Sequence, residues 1–233
     1  MELDGTVALV TGANRGLGLR ITQELLARGA RVYAAARDPR GLDVAGVTPI
    51  ALDITDPHAV QAAAAAAPDV TLLVNNAGSS TGAGVLTGSL DDVRLEMETH
   101  YLGTLAMIRA FAPRIEANGG GAILNVLSAL SWVSYPGVGA YSAAKSAAWS
   151  LTNAARLELA PRGVRVAGLH VGYMDTDMAA GVDGPKSDPR DVARIALDGI
   201  AAGAWEILAD DVSRNVQRGL AAGVPALYPQ LAA

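Results

Sequence analysis

The sequence has no cysteine, so it offers no disulfide, no thiolate nucleophile and no cysteine ligand for a metal. It has only three histidines, His58, His100 and His170, and their wide spacing argues against a zinc site. Basic residues are outnumbered, because 18 Lys and Arg stand against 23 Asp and Glu, which gives a formal net charge of −5. General nucleic-acid binders need a basic surface, so we expect no nucleic-acid partner.

We expect neither a signal peptide nor a membrane span in this sequence. The first residues contain neither the basic region nor the apolar core of a signal peptide. The uncharged stretch 117–144 is interrupted by three consecutive glycines and by Pro136, so it does not predict a membrane helix. We expect a cytoplasmic protein with no membrane partner. With 233 residues, 51% of them hydrophobic, the chain can form one large domain or two small ones.

Short apolar runs alternate with helix-like segments from end to end. Strands are predicted at 6–11, 31–36, 47–52, 70–74, 122–127, 164–169 and 205–208. Helices are predicted at 19–28, 57–67, 89–116, 140–160 and 188–202, with one more after residue 211. This alternation predicts an α/β fold: a single Rossmann-type, doubly wound parallel sheet of about seven strands with helices on both faces. Residues 1–233 are expected to form one domain.

A glycine-rich turn, TGANRGLG at 11–18, joins the first strand to the first helix. A strand, a glycine turn and a helix N-terminus together make an anion site. Gly12 permits the sharp turn, Gly16 lets the backbone approach a pyrophosphate, and Gly18 lets the helix pack on the strand. A glycine-rich connection without a ligand is the alternative, but it does not explain why the glycines occur at this junction.

The end of the second strand bears on which dinucleotide binds. NAD-binding proteins carry a carboxylate there for the ribose hydroxyls, whereas this chain has Ala36 followed by Arg37. Arg15 lies in the glycine turn, and two guanidinium groups suit a 2′-phosphate. Asp38 argues the other way, unless it only begins the turn at Pro39, the interpretation we prefer. NADP(H) is therefore the expected cofactor, with NAD(H) as the alternative.

Tyr141 and Lys145 are four residues apart on a predicted helix, so they share one face. A nearby ammonium group lowers the pKa of a phenol, so we expect Tyr141 to serve as a general acid/base closer to neutral pH. A solvated helix face is the alternative interpretation. Ser128 favours the catalytic one, because it ends the fifth strand, where doubly wound sheets bind ligands.

These motifs together resemble the short-chain dehydrogenase/reductase family over nearly the whole chain. The resemblance is carried by the glycine turn, by Asn-Asn-Ala-Gly at 75–78, and by Ser128, Tyr141 and Lys145. It implies an NAD(P)-dependent oxidoreductase of carbonyl and alcohol groups. In such enzymes Tyr141 would protonate the carbonyl oxygen, Ser128 would hydrogen-bond that oxygen, and Lys145 would hold the nicotinamide ribose.

The resemblance also implies the other cofactor contacts. Asp53 matches an adenine contact, and Thr176 and Met174 match residues that bind the nicotinamide carboxamide and back the ring. The expected cofactor-binding set is Gly12, Asn14, Arg15, Gly16, Leu17, Gly18, Arg37, Asp53, Ile54, Asn75, Ala77, Gly78, Tyr141, Lys145, Gly172, Met174 and Thr176. No metal is expected.

The sequence departs from the family pattern at His100, where the family usually has Asn three residues before a glycine. We hypothesise that His100 preserves the family's proton relay to Lys145 as a catalytic residue and titrates near neutral pH. The alternative is a buried, hydrogen-bonded histidine that only shapes the helix. Val171 replaces the usual proline. Residues 177–188 are expected to form a short substrate lid.

Side chains expected to flank the substrate pocket, each with the core as its alternative place, are Ser79, Ser80, Leu130, Trp132, Tyr135, Tyr173 and Met178. By resemblance we expect a homodimer or homotetramer through helices 91–116 and 140–160, where Ala143, Ala144, Ala147 and Ala148 would allow close approach. The expected activity is NADP(H)-dependent interconversion of a small-molecule carbonyl and alcohol. An imine reductase, an epimerase or dehydratase, and a non-catalytic NADP(H) sensor are the alternatives.

Overall fold

Seven parallel strands make up the sheet in the computed structural model, which describes residues 1–231. The last two residues of the predicted domain lie outside the described residues. The strands are β1 (Val7–Thr11), β2 (Arg31–Ala36), β3 (Val47–Ala51), β4 (Leu72–Asn75), β5 (Gly121–Val126), β6 (Val164–His170) and β7 (Glu206–Leu208). Their order is β3-β2-β1-β4-β5-β6-β7, and every pairing is parallel. The predicted doubly wound parallel sheet is therefore confirmed.

The helices are α1 (Gly16–Ala27), α2 (Pro57–Ala66), α3 (Leu90–Met97), α4 (Thr104–Ala117), α5 (Gly139–Leu159), α6 (Pro189–Ala201), α7 (Asp211–Leu220) and α8 (Val224–Leu227). Side chains cap the N-termini of α2, α3, α6 and α7, namely Asp56, Ser89, Asp188 and Asp210. These residues accept hydrogen bonds from first-turn amides, as capping residues do. The tail holds two helices and a 3₁₀ turn at Pro229–Leu231, where one helix was predicted.

Helices cover both faces of the sheet, as predicted. On one face, Ile21 and Leu25 of α1 pack with Leu197 of α6 against Val10 and Val74 of the central strands. The other face carries α2, α4 and α5, with the buried side chains Val60, Met107, Phe111, Ile115 and Leu159. Within residues 1–231, no helix is long and apolar enough to cross a membrane.

The predicted single helix at 89–116 is wrong at its centre. A π-helical segment, Glu98–Gly103, separates α3 from α4. Such wide turns add a residue to a helix and occur often at functional sites. A Cβ atom on Gly103 would lie 2.9 Å from Cδ1 of Ile54, so a side chain there would require Ile54 to move. Sequence periodicity did not reveal this segment, since α3 and α4 each keep their own apolar face.

The order of the strands fixes where a ligand can bind. The chain moves outward from β1 through β2 to β3, then returns to place β4 on the other side of β1. Crevices in doubly wound sheets open at such a reversal, at the carboxyl ends of the strands. Here the reversal places the end of β1 at Thr11 beside the end of β4 at Asn75.

Candidate active site

The glycine turn lies at this crevice and leads directly into α1. Gly12 and Gly16 have φ of +64° and +53°, values that favour glycine. A Cβ atom on Gly18 would lie 2.2 Å from the carbonyl oxygen of Gly12, so only glycine fits there. Arg15 is the N-cap residue of α1, but its side chain caps no amide, which leaves the first-turn N–H groups of α1 available to an anion.

Thr11 and Asn76 hold the turn against the end of β4. Thr11 Oγ1 accepts hydrogen bonds from the amides of Asn76 at 2.9 Å and Ala77 at 3.0 Å. Asn76 Nδ2 donates to the carbonyl oxygens of Thr11 at 2.9 Å and Gly12 at 3.3 Å. Asn76 was in the quoted motif but not in the predicted set, and it is the side chain that fixes the shape of the turn. Asn75 points elsewhere, because its Nδ2 donates to Asn125 Oδ1 in the core at 2.8 Å.

The two arginines predicted to hold a 2′-phosphate are both exposed at the crevice. Arg15 Nη1 lies 3.4 Å from Asp177 Oδ2, so the phosphate turn touches the start of the predicted lid. Asp38 is occupied locally: it accepts from Arg40 N at 3.0 Å and pairs with the Arg40 guanidinium. This arrangement favours the interpretation of Asp38 as a turn residue, and it leaves Arg37 as the cation that follows β2.

Asp53 and Ile54 follow β3 at the same edge of the sheet. Asp53 Oδ1 accepts from the backbone and the hydroxyl of Thr55, at 2.9 and 2.7 Å. The hydroxyl bond is the largest cause that lowers the pKa of the Asp53 carboxyl, with a smaller contribution from Arg37. Ile54 is buried against the π-helical segment, and of the glycine-turn residues Leu17 is buried while Asn14 is exposed.

Tyr141 and Lys145 lie one turn apart on α5, with the ammonium 5.6 Å from the centre of the phenol ring. Lys145 is buried and donates to the carbonyl oxygen of Val126 at 2.8 Å, which fixes it at the end of β5. Burial lowers the pKa of Lys145 to about 8, and the charge of Glu96 acts in the opposite direction. The structure therefore places Tyr141 and Lys145 on one face of α5, as their spacing predicted.

The expectation that Lys145 lowers the pKa of Tyr141 is wrong for this chain. Burial raises the pKa of Tyr141 well above its ordinary value, and the negative charge of Glu96 adds to that increase. A hydrogen bond with Ser128 acts in the opposite direction. Tyr141 is therefore a neutral phenol, which is the form that donates a proton.

Ser128 begins a 3₁₀ turn, Ala129–Ser131, two residues after β5. Its Oγ accepts from the amide of Leu130 at 3.1 Å and lies 3.4 Å from the carbonyl oxygen of Val171. Ser128 also acts to lower the pKa of Tyr141, so its side chain lies close to the phenol on α5.

His100 is buried on the π-helical segment, with its ring edge-on to Tyr141 at 5.1 Å between centres. Its Nε2 faces two acceptors, the Ser79 carbonyl oxygen at 2.9 Å and Glu96 Oε2 at 3.2 Å. Burial, followed by the charge of Lys145, lowers the pKa of His100. The expected titration near neutral pH is therefore wrong, because the ring stays neutral there. A role for His100 in a proton relay stays a prediction.

The segment after β6 closes the crevice opposite the glycine turn. Asp210 Oδ2 accepts from the amide of Gly172 at 2.7 Å. Met174 pairs with Ser187 in an isolated parallel bridge, so the two ends of the predicted lid are tied together. Thr176 approaches the glycine turn, since a Cβ atom on Gly16 would lie 3.4 Å from its Cγ2. The predicted cofactor segments thus converge, although Asn75 presents its side chain to the core.

A model of the family described as short chain dehydrogenase matches residues 6–186 of the chain. This range contains the glycine turn, Ser128, Tyr141 and Lys145. The chain belongs to the short-chain dehydrogenase family. It is therefore an NAD(P)-dependent oxidoreductase of alcohol and carbonyl groups, as the sequence motifs predicted.

This short-chain dehydrogenase is similar in sequence to the following three proteins. A short-chain dehydrogenase from Burkholderia cenocepacia J2315, solved in complex with NADP, is 42% identical with a TM-score of 0.95, and each chain covers 100% of the other. Galactitol 2-dehydrogenase (L-tagatose-forming) from Cereibacter sphaeroides is 38% identical over 76% of this chain and 74% of the relative. Carbonyl reductase [NADPH] 2 from Sus scrofa is 33% identical over 81% of this chain and 79% of the relative.

A dinucleotide fits the residues of this short-chain dehydrogenase. The uncapped first turn of α1 offers amides to the pyrophosphate, and Gly16 keeps a side chain out of its way. Arg15 and Arg37 place positive charge at the adenosine end, while Lys145 lies at the nicotinamide end by resemblance. Among residues 1–231, no group of three metal-ligating side chains forms a site.

The residues predicted to flank the substrate pocket divide into two groups. Ser80, Tyr135, Tyr173 and Met178 are exposed. Leu130 is buried, Ser79 donates to Glu96 at 2.9 Å, and Trp132 stacks on His170. Trp132 is half-buried: one face of its ring packs on His170, and the residue also lines a surface cavity with Val85 and Tyr228.

Two parts of this site were not indicated by any sequence motif. Glu96 is fully buried beside His100. The only feature of the sequence that indicates this pair is the separation of four residues, which places two side chains on the same face of a helix. His170 and Glu206 lie behind Ser128, with His170 Nδ1 3.1 Å from the Ser128 carbonyl oxygen and Nε2 2.8 Å from Glu206 Oε2. These two residues are 36 positions apart, so only the fold brings them together.

Proposed function

We propose that this short-chain dehydrogenase uses NADPH to reduce a ketone or aldehyde to an alcohol, with Tyr141 as the proton donor. The observation that carries the proposal is the position of Tyr141 beside Ser128, with the buried ammonium of Lys145 5.6 Å from the centre of its ring. A proton donor in its protonated form suits the direction of reduction, in which the carbonyl oxygen must receive a proton.

Each residue has a distinct role in this proposal. Ser128 donates a hydrogen bond to the substrate oxygen, and so positions the oxygen at the Tyr141 hydroxyl. Tyr141 transfers its proton to that oxygen as negative charge develops there. Lys145, anchored by the Val126 carbonyl, stabilises the phenolate that remains. The bound cofactor supplies the hydride.

NADP(H) is the preferred cofactor in this proposal. Two features support it: Arg15 and Arg37 are the cations at the adenosine end of the crevice, and Asp38 is paired with Arg40. The Burkholderia cenocepacia relative binds NADP, and the pig relative carries NADPH in its name. The catalytic and cofactor-binding residues named from the sequence are part of the same proposal, as is a lid at 177–188.

The first experiment measures oxidation of NADPH and of NADH by the purified protein against a panel of ketones, aldehydes, diketones and cyclic imines. Tyr141→Phe removes the phenolic proton and keeps the ring. We expect turnover with NADPH that falls by about 10²- to 10⁴-fold in this variant, the usual contribution of a general acid. NADPH binding, followed by fluorescence, should be largely retained, because the glycine turn and both arginines are intact.

Other outcomes identify the alternatives. A cyclic imine as the only substrate would indicate an imine reductase. A product formed without stoichiometric loss of NADPH would indicate an epimerase or dehydratase. Tight NADPH binding with no turnover of any compound in the panel would favour a sensor and would contradict the reductase.

We also propose that the enzyme is a cytoplasmic homodimer or homotetramer that pairs through α3, α4 and α5. Exposed leucines, Leu90, Leu95 and Leu102, lie along α3 and the π-helical segment and support this surface. Of the alanines predicted to permit close approach, Ala144 and Ala148 are buried within the subunit, so those two cannot meet a partner. Sedimentation of the wild type and of Leu95→Glu tests the proposal, which a monomeric wild type would contradict.

A further inference from the structure

Glu96 is a fully buried carboxylate next to the reaction centre, and the proposed reaction gives it no part. Its Oε1 accepts from the amide of Thr81 at 2.6 Å, and its Oε2 accepts from the hydroxyl of Ser79 at 2.9 Å. His100 Nε2 lies 3.2 Å from Oε2. One carboxylate therefore joins α3, the π-helical segment and the loop that follows the Asn-Asn-Ala-Gly motif.

The tautomer of His100 follows from these contacts. Nε2 lies 2.9 Å from the Ser79 carbonyl oxygen and 3.2 Å from Glu96 Oε2, which accept hydrogen bonds, and the Ser79 amide points at the same nitrogen from 3.4 Å. The two shorter contacts favour the tautomer of the neutral ring that carries its proton on Nε2. Gly78 allows the ring to occupy this place, because a Cβ atom there would lie 2.8 Å from His100 Cε1.

The charge of Glu96 also reaches the catalytic pair. It raises the pKa of Tyr141 and opposes the lowering of the pKa of Lys145 by burial. The other titratable groups that face this centre are His100, which is neutral, and Tyr173, whose effect on Tyr141 is smaller than that of Glu96. A negative charge held in a site of low polarity acts strongly on its neighbours.

We propose that Glu96 is a positioning residue of the reaction centre: it holds His100 and the 79–81 loop beside Tyr141, and its fixed negative charge keeps Lys145 charged and Tyr141 protonated. The part that concerns proton donation rests on the proposed reductase function. The electrostatic part does not, because it describes the chain without substrate.

The sequence contains only two lysines, Lys145 and Lys186, which makes the electrostatic part directly measurable. Protein labelled with ¹³C at lysine Cε gives two resonances, and Lys186→Arg identifies them. We expect Lys145 to titrate near pH 8 in the wild type. In Glu96→Gln its pKa should fall by about one unit, because a nearby opposite charge is lost. Lys186 serves as the internal control.

Glu98→Gln is the matched control, since Glu98 is two residues away on the same helical stretch but exposed. It should leave the Lys145 titration unchanged. In the reductase assay, the alkaline limb of the pH–kcat profile should move to lower pH in Glu96→Gln and stay in place in Glu98→Gln. A Lys145 resonance that titrates identically in the wild type and Glu96→Gln would overturn the proposal.

Glu96→Asp provides a second test if Glu96→Gln does not fold. The aspartate keeps the charge but shortens the reach to His100 by one methylene. We expect a Lys145 titration like that of the wild type, together with a kcat about tenfold lower and an unchanged KM. A kcat equal to that of the wild type would overturn the positioning role. Absence of any turnover in the wild type would contradict the reductase alone, because the lysine titration needs neither cofactor nor substrate.

Discussion

The imidazole of His170 lies flat on the indole of Trp132, with ring centres 3.7 Å apart and planes inclined by 12°. His170 is fully buried at the end of β6, and Trp132 follows the turn that Ser128 begins. Glu206 contacts the far nitrogen of the imidazole and also pairs with Arg156 at 2.8 Å. The backbone at Ser128 is thus supported from behind by a stacked ring pair and a partly buried ion pair.

Removal of Glu206 should be costly, because it leaves the partly buried guanidinium of Arg156 without its anion and takes away the contact with the fully buried His170 ring. We expect Glu206→Ala to lower the free energy of unfolding by about 1–3 kcal/mol. Asp191→Ala is the control, since its pair with Arg194 is exposed and should contribute less than about 1 kcal/mol. Urea unfolding measures both variants. Equal losses would contradict the view that Glu206 belongs to a buried network.

Glu96 should make the fold sensitive to acid. Burial acts to raise the pKa of its carboxyl, but the hydrogen bonds with His100, Thr81 and Ser79 outweigh burial and lower the pKa from 4.5 to about 2, so the folded state favours the charged form. The resulting stability, about 3 kcal/mol, is fully present above pH 4.5 and is lost as the pH falls toward 2. Glu96→Gln should flatten the dependence of unfolding free energy on pH over that window. A wild-type slope in the variant would contradict the assignment.

Arg37 should discriminate between the two dinucleotides. A charge-assisted hydrogen bond to a phosphate is worth about 1.5–3 kcal/mol, so Arg37→Ala should weaken NADPH binding by roughly 10- to 100-fold. NADH binding should not change. Arg40→Ala is the matched control, because Arg40 is paired with Asp38 in the adjoining turn. Calorimetric titration with each cofactor measures the difference, and an equal loss for NADH would show that Arg37 does not contact the 2′-phosphate.

Gly18 should tolerate no side chain. The Cβ atom of Gly18→Ala would meet the Gly12 carbonyl oxygen at 2.2 Å and Asn76 Nδ2 at 2.4 Å, so the turn must shift. We expect a loss of stability of about 1–3 kcal/mol together with weaker NADPH binding. Gly181→Ala, which meets no described atom within 4 Å, should change neither. Thermal melts with and without NADPH separate the two effects.

Much of the fold was predictable from local patterns. The strand at 31–36 was placed at its observed ends, and the capped starts of α2, α3 and α6 were read from Asp56, Ser89 and Asp188. Such features depend on a few adjacent residues, so a single sequence contains them. The glycine turn and the pairing of Tyr141 with Lys145 belong to the same class.

Features that depend on burial and on distant partners were not predictable. The spacing of Tyr141 and Lys145 suggested a lowered phenol pKa, but burial and the charge of Glu96 raise it. The stack of Trp132 on His170 joins residues 38 positions apart, so no local pattern could predict it. The π-helical segment changes no apolar pattern that a periodicity search would detect.

The π-helical segment Glu98–Gly103 also governs how the protein tolerates changes in length. Loss of one residue there would leave a continuous α-helix, but it would rotate α4 by about 100° relative to α3, since each residue advances a helix by that angle. Phe111 and Ile115 would then leave the core, or Glu96 and His100 would leave the reaction centre. The length of this segment is thus as constrained as its amino-acid composition. Deletions of a single residue in it should be among the least tolerated changes in the chain.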